Sequence, residues 1–227
     1  MSDCLLAFEF STERGSVALS DGQGTLASIE DHEPGPSARL SMLVDNVLHQ
    51  SGKQLRDIAG IAYGAGPGAF TGVRLACGMA QGLGLGLGVP LIPVSTLESL
   101  LPLVDVPRLV VVQDARMNQL YLAAYERQGH QWQERLPPTL CAPDHLPDLP
   151  AASWWAAGSG TALCGQQLST RWGSHIQGII PGLAPHAAQI ATLAYPRWLA
   201  GTGVAAAMAQ PVYLRQHVAL TLAERGL

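Results

Sequence analysis

The stretch between Gly64 and Gly72 is the part of this sequence whose composition points most directly to a ligand. A short apolar run at residues 60–63 leads into it, and small residues continue from Gly72 to Leu85. This pattern predicts a buried strand, a tight glycine loop and a helix with Thr71 as its N-cap. Backbone N–H groups at the start of such a helix favour an anion, so the loop is either a phosphate cradle or a turn that lets two elements pack closely.

The residues around this loop exclude two phosphate-binding motifs. A P-loop needs a lysine beside its second glycine, but Val73 and Arg74 follow Gly72, and the single lysine, Lys53, lies before the loop. A dinucleotide-binding fingerprint needs an acidic residue about twenty positions further on, and no residue from 75 to 97 is charged. The packing role is therefore the favoured interpretation.

Other catalytic candidates are incomplete. The histidines are too far apart in the sequence to form the HxxxH or HExxH pair that holds a metal. Ser159 lies between two glycines but lacks the wider nucleophile elbow. Asp114 and Arg116, at a predicted strand end, could be catalytic, although an ion pair that braces a loop is the favoured interpretation. We predict no catalytic residue, no metal ligand and no cofactor.

The composition is that of a charge-poor globular chain. Of 227 residues, 48% are hydrophobic and 13% are charged, with 13 basic and 17 acidic side chains and a net charge of −4. The arginines are scattered singly, so the chain alone is not expected to grip nucleic acid. The four cysteines are widely separated, which predicts free thiols in a reducing cytoplasm rather than a disulfide framework.

The uncharged segment from Leu75 to Leu97 is long enough to raise the question of a membrane span. Its glycines, together with Pro90 and Pro93, interrupt the apolar run, so we interpret it as helix, turn and strand. The start of the chain has no basic signal-type region, and we expect a cytoplasmic protein.

The remaining patterns predict two halves that each open with strands and close with helices. Strand–turn–strand patterns run to Glu30, and a second β-rich run begins near Arg108. Residues 137–150 are predicted to form a connecting segment without regular secondary structure. An Ala-rich helix is expected to end or kink at Pro196. A helix that starts at Ser37 places five apolar residues on one face: Leu40, Leu43, Val44, Val47 and Leu48.

Small residues recur on two sides of the helix that starts near Gly72. They form two rows, Gly72, Ala76, Ala80 and Gly84 on one side, and Gly78, Gly82 and Gly86 on the other. Each glycine in a helix interior costs about 1 kcal/mol, so close packing must offset it. Burial within the chain and docking onto a partner's helices both stay open, because the apolar surface exceeds what so few charges can cover.

Several stretches, in order along most of the chain, match one family pattern. They are residues 6–19 (LAFEFSTERGSVAL), 64–85 (GAGPGAFTGVRLACGMAQGLGL), 90–97, 113–117 (QDARM) and 211–215. On these residues the chain resembles the TsaB (YeaZ) family, a subunit of the bacterial machinery that makes threonylcarbamoyladenosine in tRNA. The segment from Gly66 to Arg74 with its helix is the most specific part of the match.

The resemblance implies an α/β fold with two actin-like lobes, of the kind shared by Hsp70 and sugar kinases, here residues 1–104 and 105–227. It implies a non-catalytic subunit that binds and activates a TsaD-like partner, which transfers threonylcarbamoyl to adenosine 37 of tRNAs reading ANN codons. A TsaE-like ATPase is the third component of the complex, and the chain contacts tRNA only as part of that complex. A homodimer is possible when the chain is alone. Docking through the first-lobe helices implies these partner-binding residues: Leu40, Leu43, Val44, Val47, Gly72, Val73, Arg74, Ala76, Met79 and Ala80.

Two other functions are weighed against this one. In actin-like ATPases the first strand carries an Asp before a hydroxyl-rich hairpin that holds phosphates, and here Glu9, Ser11 and Thr12 occupy that position. The hairpin is either a degenerate nucleotide site or a structural turn, and an ATP-dependent phosphotransferase or ATPase is the alternative function. A peptidase, the activity attached by name to relatives, would need the metal-ligand pair that the sequence lacks.

Overall fold

A computed structural model of the protein describes residues 4–32, 39–129 and 131–215. The strands are β1 Cys4–Glu9, β2 Gly15–Ser20, β3 Thr25–Asp31, β4 Ile58–Gly66, β5 Leu91–Ser95, β6 Arg108–Asp114, β7 Leu120–Gln128, β8 Gln131–Cys141, β9 Trp154–Ala157 and β10 Ile176–Ile180. The helices are α1 Leu40–Ser51, α2 Phe70–Leu87, α3 Gly165–Trp172 and α4 Ala187–Leu199. The strands form two five-stranded mixed sheets with helices packed against them.

The first sheet has the strand order β3-β2-β1-β4-β5. Short turns join β1, β2 and β3, which makes their pairings antiparallel, as the opening strand–turn–strand pattern predicts. Strand β4 runs parallel to both β1 and β5 because helices cross over between these strands. The uncharged segment from Leu75 onward is helix, turn and strand, as predicted.

Helices cover both faces of the first sheet. Side chains alternate along β1, so Leu6 and Phe8 pack in one apolar cluster with residues of α1 and α2. Leu5 and Ala7 face the other way and pack under α4, which comes from the end of the described chain. Because a helix of the second half completes the first sheet, the division at residues 104 and 105 remains a proposal.

The second sheet has the order β10-β9-β6-β7-β8, and α3 covers one of its faces. The predicted connector begins too early, because β8 continues through Pro137 and Pro138 to Cys141. Proline is tolerated there since β8 is an edge strand that pairs with β7 alone. The sequence patterns also missed β10, whose side chains are half-buried or exposed and show no apolar alternation.

Two predicted helix starts are wrong, and the Ala-rich helix does not end at Pro196. Helix α2 starts at Phe70, where the Val73 N–H donates to the Ala69 carbonyl, so Thr71 lies inside the helix and does not cap it. Helix α4 continues through Pro196 into its last turn and ends at Leu199. The sequence pattern predicts a helix over residues 161–168, but α3 starts only at Gly165, after a short 3₁₀ turn. The predicted start of α1 at Ser37 lies outside the described residues.

All four cysteines are free thiols, as predicted. Cys4, Cys77 and Cys164 are buried, and Cys141 is half-buried. Across residues 4–32, 39–129 and 131–215, no helix combines the length and the hydropathy that a membrane crossing requires.

Candidate functional site

The glycine loop between β4 and α2 packs against the end of β1. The Ala69 N–H donates to the Ser11 carbonyl at 2.7 Å, and a Cβ at Gly68 would lie 2.8 Å from that same oxygen. A Cβ at Gly72 would overlap the carbonyl oxygen of Phe10. These glycines are needed because two backbones meet here, which confirms the packing interpretation of the loop.

Glu9 is completely buried at the end of β1. Its Oε1 accepts a hydrogen bond from the Ser11 N–H at 2.6 Å, whereas Oε2 has no partner of good geometry. Burial raises the pKa of Glu9 to about 6, and the Ser11 N–H and the nearby Ser11 and Thr96 hydroxyls partly offset this rise. Gly64 on β4 leaves room for this carboxylate, since a Cβ there would overlap Oε2.

Thr12 is engaged within its own turn. Its hydroxyl donates to the Arg14 carbonyl at 3.1 Å and accepts from the Arg14 N–H at 3.2 Å. Glu9, Ser11 and Thr12 are therefore close together, as the sequence predicts. Glu9 lies beneath the surface, and the Thr12 hydroxyl makes the local bonds of a structural turn.

A cleft of about 800 Å³ lies between the two sheets, and Ser11 and Thr12 line it. On the other side, its polar lining includes Gln113 and Ser159, which are joined by a 2.6 Å hydrogen bond. The Gln113 Nε2 atom is buried and makes no hydrogen bond to the described protein. The cleft has the size of a small-molecule site and combines mostly apolar walls with a few polar groups.

The charged groups at the cleft are largely paired with one another. Arg116 contacts Glu13 of the first hairpin, and its Nη1 lies 3.3 Å from Asp114 Oδ2. Arg14 lies 3.8 Å from Glu30. Asp114 and Arg116 thus form the loop-bracing ion pair favoured by the sequence. Pairing of these arginines weakens the attraction of the cleft for polyphosphates.

Most of the residues transferred as partner-binding are covered by the chain itself. The apolar faces of α1 and α2 pack on the first sheet, which buries seven of them: Leu40, Leu43, Val44, Val47, Val73, Ala76 and Ala80. Met79 is half-buried against the same cluster, and Gly72 contacts Phe10. Arg74 alone among the ten is exposed. A partner that docks here would meet the opposite sides of these helices.

The outward side of α2 carries the second row of small residues. Gly78, Gly82 and Gly86 are exposed, and a Cβ at any of them would meet open space. Leu85 beside this row is 79% exposed. We call Arg74, Gly78, Gly82, Leu85 and Gly86 the outward face of α2. The two rows thus serve different surfaces, because Gly84 of the first row packs against Leu91.

Arg74 lies at one end of the outward face and is held by two aromatic rings. Its guanidinium lies 3.5 Å from the centroid of the Phe70 ring and 5.5 Å from that of Tyr213. Its Nε donates to the Tyr213 hydroxyl at 2.7 Å. No local sequence pattern predicts this cluster, because Tyr213 is 139 positions away from Arg74. The cluster holds the cation in a fixed orientation on an exposed surface.

Among the described residues, no three His, Cys, Asp or Glu side chains come close enough together to hold a metal ion. The two mixed sheets, with a cleft between them and helices on their faces, define a two-lobed α/β protein of the actin-like fold class. This is the predicted fold class.

Comparison with known proteins identifies the family. The family model described as "TsaD: tRNA N6-adenosine threonylcarbamoyltransferase" matches residues 35–210. The tRNA threonylcarbamoyladenosine biosynthesis protein TsaB of Escherichia coli is 34% identical, over 95% of this chain and 96% of its own length. The protein of the same name from Haemophilus influenzae is 32% identical, over 94% of each chain. The chain belongs to the TsaB (YeaZ) family.

A solved structure gives the same result. A Pseudomonas aeruginosa protein described as similar to the peptidase YeaZ superposes with a TM-score of 0.82 at 34% identity, over 95% of this chain and all of its own. The resemblance stated from the sequence motifs is therefore confirmed.

Proposed function

We propose that this chain is a non-catalytic subunit that binds and activates a TsaD-like threonylcarbamoyltransferase during threonylcarbamoyladenosine formation in tRNA. Its end-to-end similarity to TsaB proteins supports this role. The structural observation that carries the docking part is the outward face of α2, where Gly78, Gly82 and Gly86 leave open space for another helix.

On the outward face, the glycines allow a partner helix to approach closely, and two side chains can contact that partner. Leu85 offers a largely exposed apolar side chain, and the stacked Arg74 offers a cation that the two rings hold in place. Arginine and apolar anchors of this kind often carry the binding energy of protein interfaces. The outward side of α1, with the half-exposed Met42, extends the surface on the same face of the first sheet.

Titration of the chain with the purified transferase tests the docking surface. We expect Gly78→Arg and Gly82→Arg to weaken binding at least about tenfold, because a long side chain prevents the helices from approaching. Gly165→Arg on α3 is the matched control, since that glycine also faces open space but lies on the second sheet. Equal affinities for all three variants would contradict docking through α2.

The role as an activator needs a separate measurement. Threonylcarbamoyl transfer to tRNA by the transferase should rise when the wild-type chain is added and should rise less with Gly78→Arg at equal concentration. A TsaE-like ATPase as third component and a homodimer of the isolated chain remain part of the proposal. Sedimentation of the chain alone tests the homodimer, which Gly78→Arg should dissociate if the surface is shared.

An ATP-dependent phosphotransferase or ATPase is the alternative, and the observation that favours it is the cleft beside Ser11 and Thr12. Calorimetry with ATP and magnesium decides this point. Micromolar binding that is lost in Thr12→Ala would support the alternative. No heat of binding is expected, because Arg14 and Arg116 pair with acidic side chains and Arg215 already donates to Ala115 and Gln119.

A further inference from the structure

Residues 209–215 form an extended segment that belongs to neither sheet but contacts both lobes. At its start, Gln81 of α2 donates to the Ala209 carbonyl at 3.0 Å. The Val212 N–H then donates to the Ala65 carbonyl of β4 at 2.7 Å. We call this segment the strap, and its first half is fixed to the first sheet and to α2.

The second half of the strap is fixed to the other sheet. Arg215 Nη2 donates to the Ala115 carbonyl at 2.9 Å and to Gln119 Oε1 at 2.6 Å. Leu214 packs against the apolar cluster formed around β6 and β7. Between the two anchored ends, the residues from Val212 to Arg215 line the cleft. The strap therefore bridges the cleft along one side.

The turn that Arg215 holds has an unfavourable backbone. Arg116, Met117 and Asn118 have φ values of 60°, 54° and 54°, and none of them is glycine. Left-handed conformations cost about 1–2 kcal/mol for an ordinary residue, so surrounding contacts must stabilise such a run. The turn's own backbone bonds, from the Ala115 N–H to the Gln119 carbonyl and from the Gln119 N–H to the Arg116 carbonyl, supply part of this stabilisation. Arg215 adds side-chain bonds on both sides of the run, at Ala115 and at Gln119.

The strap is also connected to the outward face of α2. Tyr213 accepts the hydrogen bond from Arg74 Nε and lies 5.7 Å from Phe70 between ring centroids. Tyr213 and Val212 are 44% and 48% exposed, so few buried contacts hold the middle of the strap. Segments with little buried surface open at low free-energy cost, and a change at Arg74 can therefore reach Arg215 through Tyr213 and Leu214.

We propose that the strap is a conformational link between the outward face of α2 and the cleft. While Arg74 stacks on Phe70 and donates to Tyr213, the strap stays in its observed position. Arg215 then stabilises the left-handed turn, and that side of the cleft stays closed. When the contact between Arg74 and Tyr213 is lost, the strap becomes more mobile, Arg215 no longer stabilises the turn, and the turn opens more often. The link is intramolecular, and its use as a response to docking rests on the proposed function.

Amide hydrogen exchange of the isolated chain tests the link from both ends. In Arg74→Ala, exchange in residues 114–120 should become at least about threefold faster, although that turn is on the second sheet. In Gln119→Ala, the Val212 amide should likewise exchange faster. Tyr213→Phe keeps the ring stacking and removes the hydroxyl, so it should give a smaller rise in both regions.

The control is Arg171→Ala, which removes an exposed arginine that pairs with Asp148 far from the strap. It should leave exchange in the strap and in the turn unchanged. If Arg74→Ala changes exchange only within residues 70–77 and at Tyr213, the two ends are not linked and the proposal fails. That result would leave docking itself untouched, because no partner is present in this experiment.

Addition of the transferase separates the two proposals. Protection of residues 74–86 together with slower exchange in residues 114–120 supports both docking and the link. Protection of residues 74–86 alone supports docking and overturns the link as a response to it. If exchange slows in neither region at a saturating partner concentration, docking through α2 is wrong, and so is its coupling to the cleft.

Discussion

Glu9 and Gly64 lie side by side at the ends of two neighbouring parallel strands, and the glycine leaves the space that the Glu9 carboxylate fills. Glu9 of the predicted hairpin site and Gly64 of the glycine-rich stretch, which are separate features in the sequence, therefore pack directly against each other.

The first prediction concerns this pair. Gly64→Ala should lower the free energy of unfolding by about 1–3 kcal/mol, because the new Cβ overlaps Glu9 Oε2 in a closed interior. Glu9→Asp shortens the side chain by one methylene and should recover part of this loss in the double variant. Urea unfolding of the two single variants and the double variant measures the coupling. Strictly additive effects would show that the two side-chain positions do not compete for space.

The second prediction concerns the pH dependence of Glu9. Burial raises its pKa from 4.5 to about 6, so the native state holds this proton more tightly than the unfolded state does. The stability that Glu9 contributes is therefore fully present below pH 4.5 and is lost as the pH rises through 6. Glu9→Gln cannot ionise, and relative to wild type its stability should rise by about 2 kcal/mol between pH 4.5 and 7. A constant difference across this range would contradict the shifted pKa.

A third prediction separates the two glycine rows of α2. Gly72→Ala should destabilise strongly, by about 3 kcal/mol or more, because its Cβ would overlap the Phe10 carbonyl and backbone atoms cannot move aside easily. Gly82→Ala is the matched control in the same helix. Its Cβ meets open space, so it should stabilise by up to about 1 kcal/mol. Thermal unfolding of the pair gives the comparison, and equal shifts would refute the two-surface description.

The fourth prediction concerns the start of α4. His186 caps this helix, since its Nδ1 accepts from the Ala188 N–H at 3.1 Å, and burial lowers the pKa of His186 although the charge of Glu30 partly offsets this. The native state then binds this proton less tightly than the unfolded state, so stability is lost as the pH falls below 6.5. His186→Asn retains a capping side chain without titrating and should reduce this loss.

The control for this measurement is Thr192→Ala on α4, which removes an exposed hydroxyl that donates to the Ala188 carbonyl and does not titrate in this range. It should leave the pH dependence between 5 and 7.5 unchanged. If His186→Asn follows the wild-type curve over that range, the cap does not depend on the neutral imidazole.

Local patterns predicted the elements well where one physical signal dominated. The antiparallel start of the first sheet followed from short turns between apolar runs, and α1 followed from the spacing of Leu40, Leu43 and Val47. The same spacing does not predict which part of the protein, or which partner, covers the apolar face of α1. The chain's own sheet buries it, and a contact of these side chains with a partner stays a prediction.

The parts that the sequence could not predict depend on contacts between distant residues. Arg74 is held in place by Tyr213, and Arg215 is bound by Ala115 and Gln119. No local periodicity encodes such pairs, because the residues lie about a hundred or more positions apart in the chain. The predicted start of α2 is wrong for a related reason, since the Ser11 carbonyl that fixes Ala69 belongs to the distant turn after β1.

The position of α4 on the first sheet constrains the order of folding during synthesis. Strands β1, β2, β4 and β5 leave the ribosome early, but the helix that covers Leu5, Ala7 and Ile92 follows about a hundred residues after β5. Because translation adds roughly 5–20 residues per second, this apolar sheet face waits for several seconds without its native cover. The first lobe therefore keeps an apolar sheet face uncovered during synthesis until α4, which follows the second sheet in the chain, has been made.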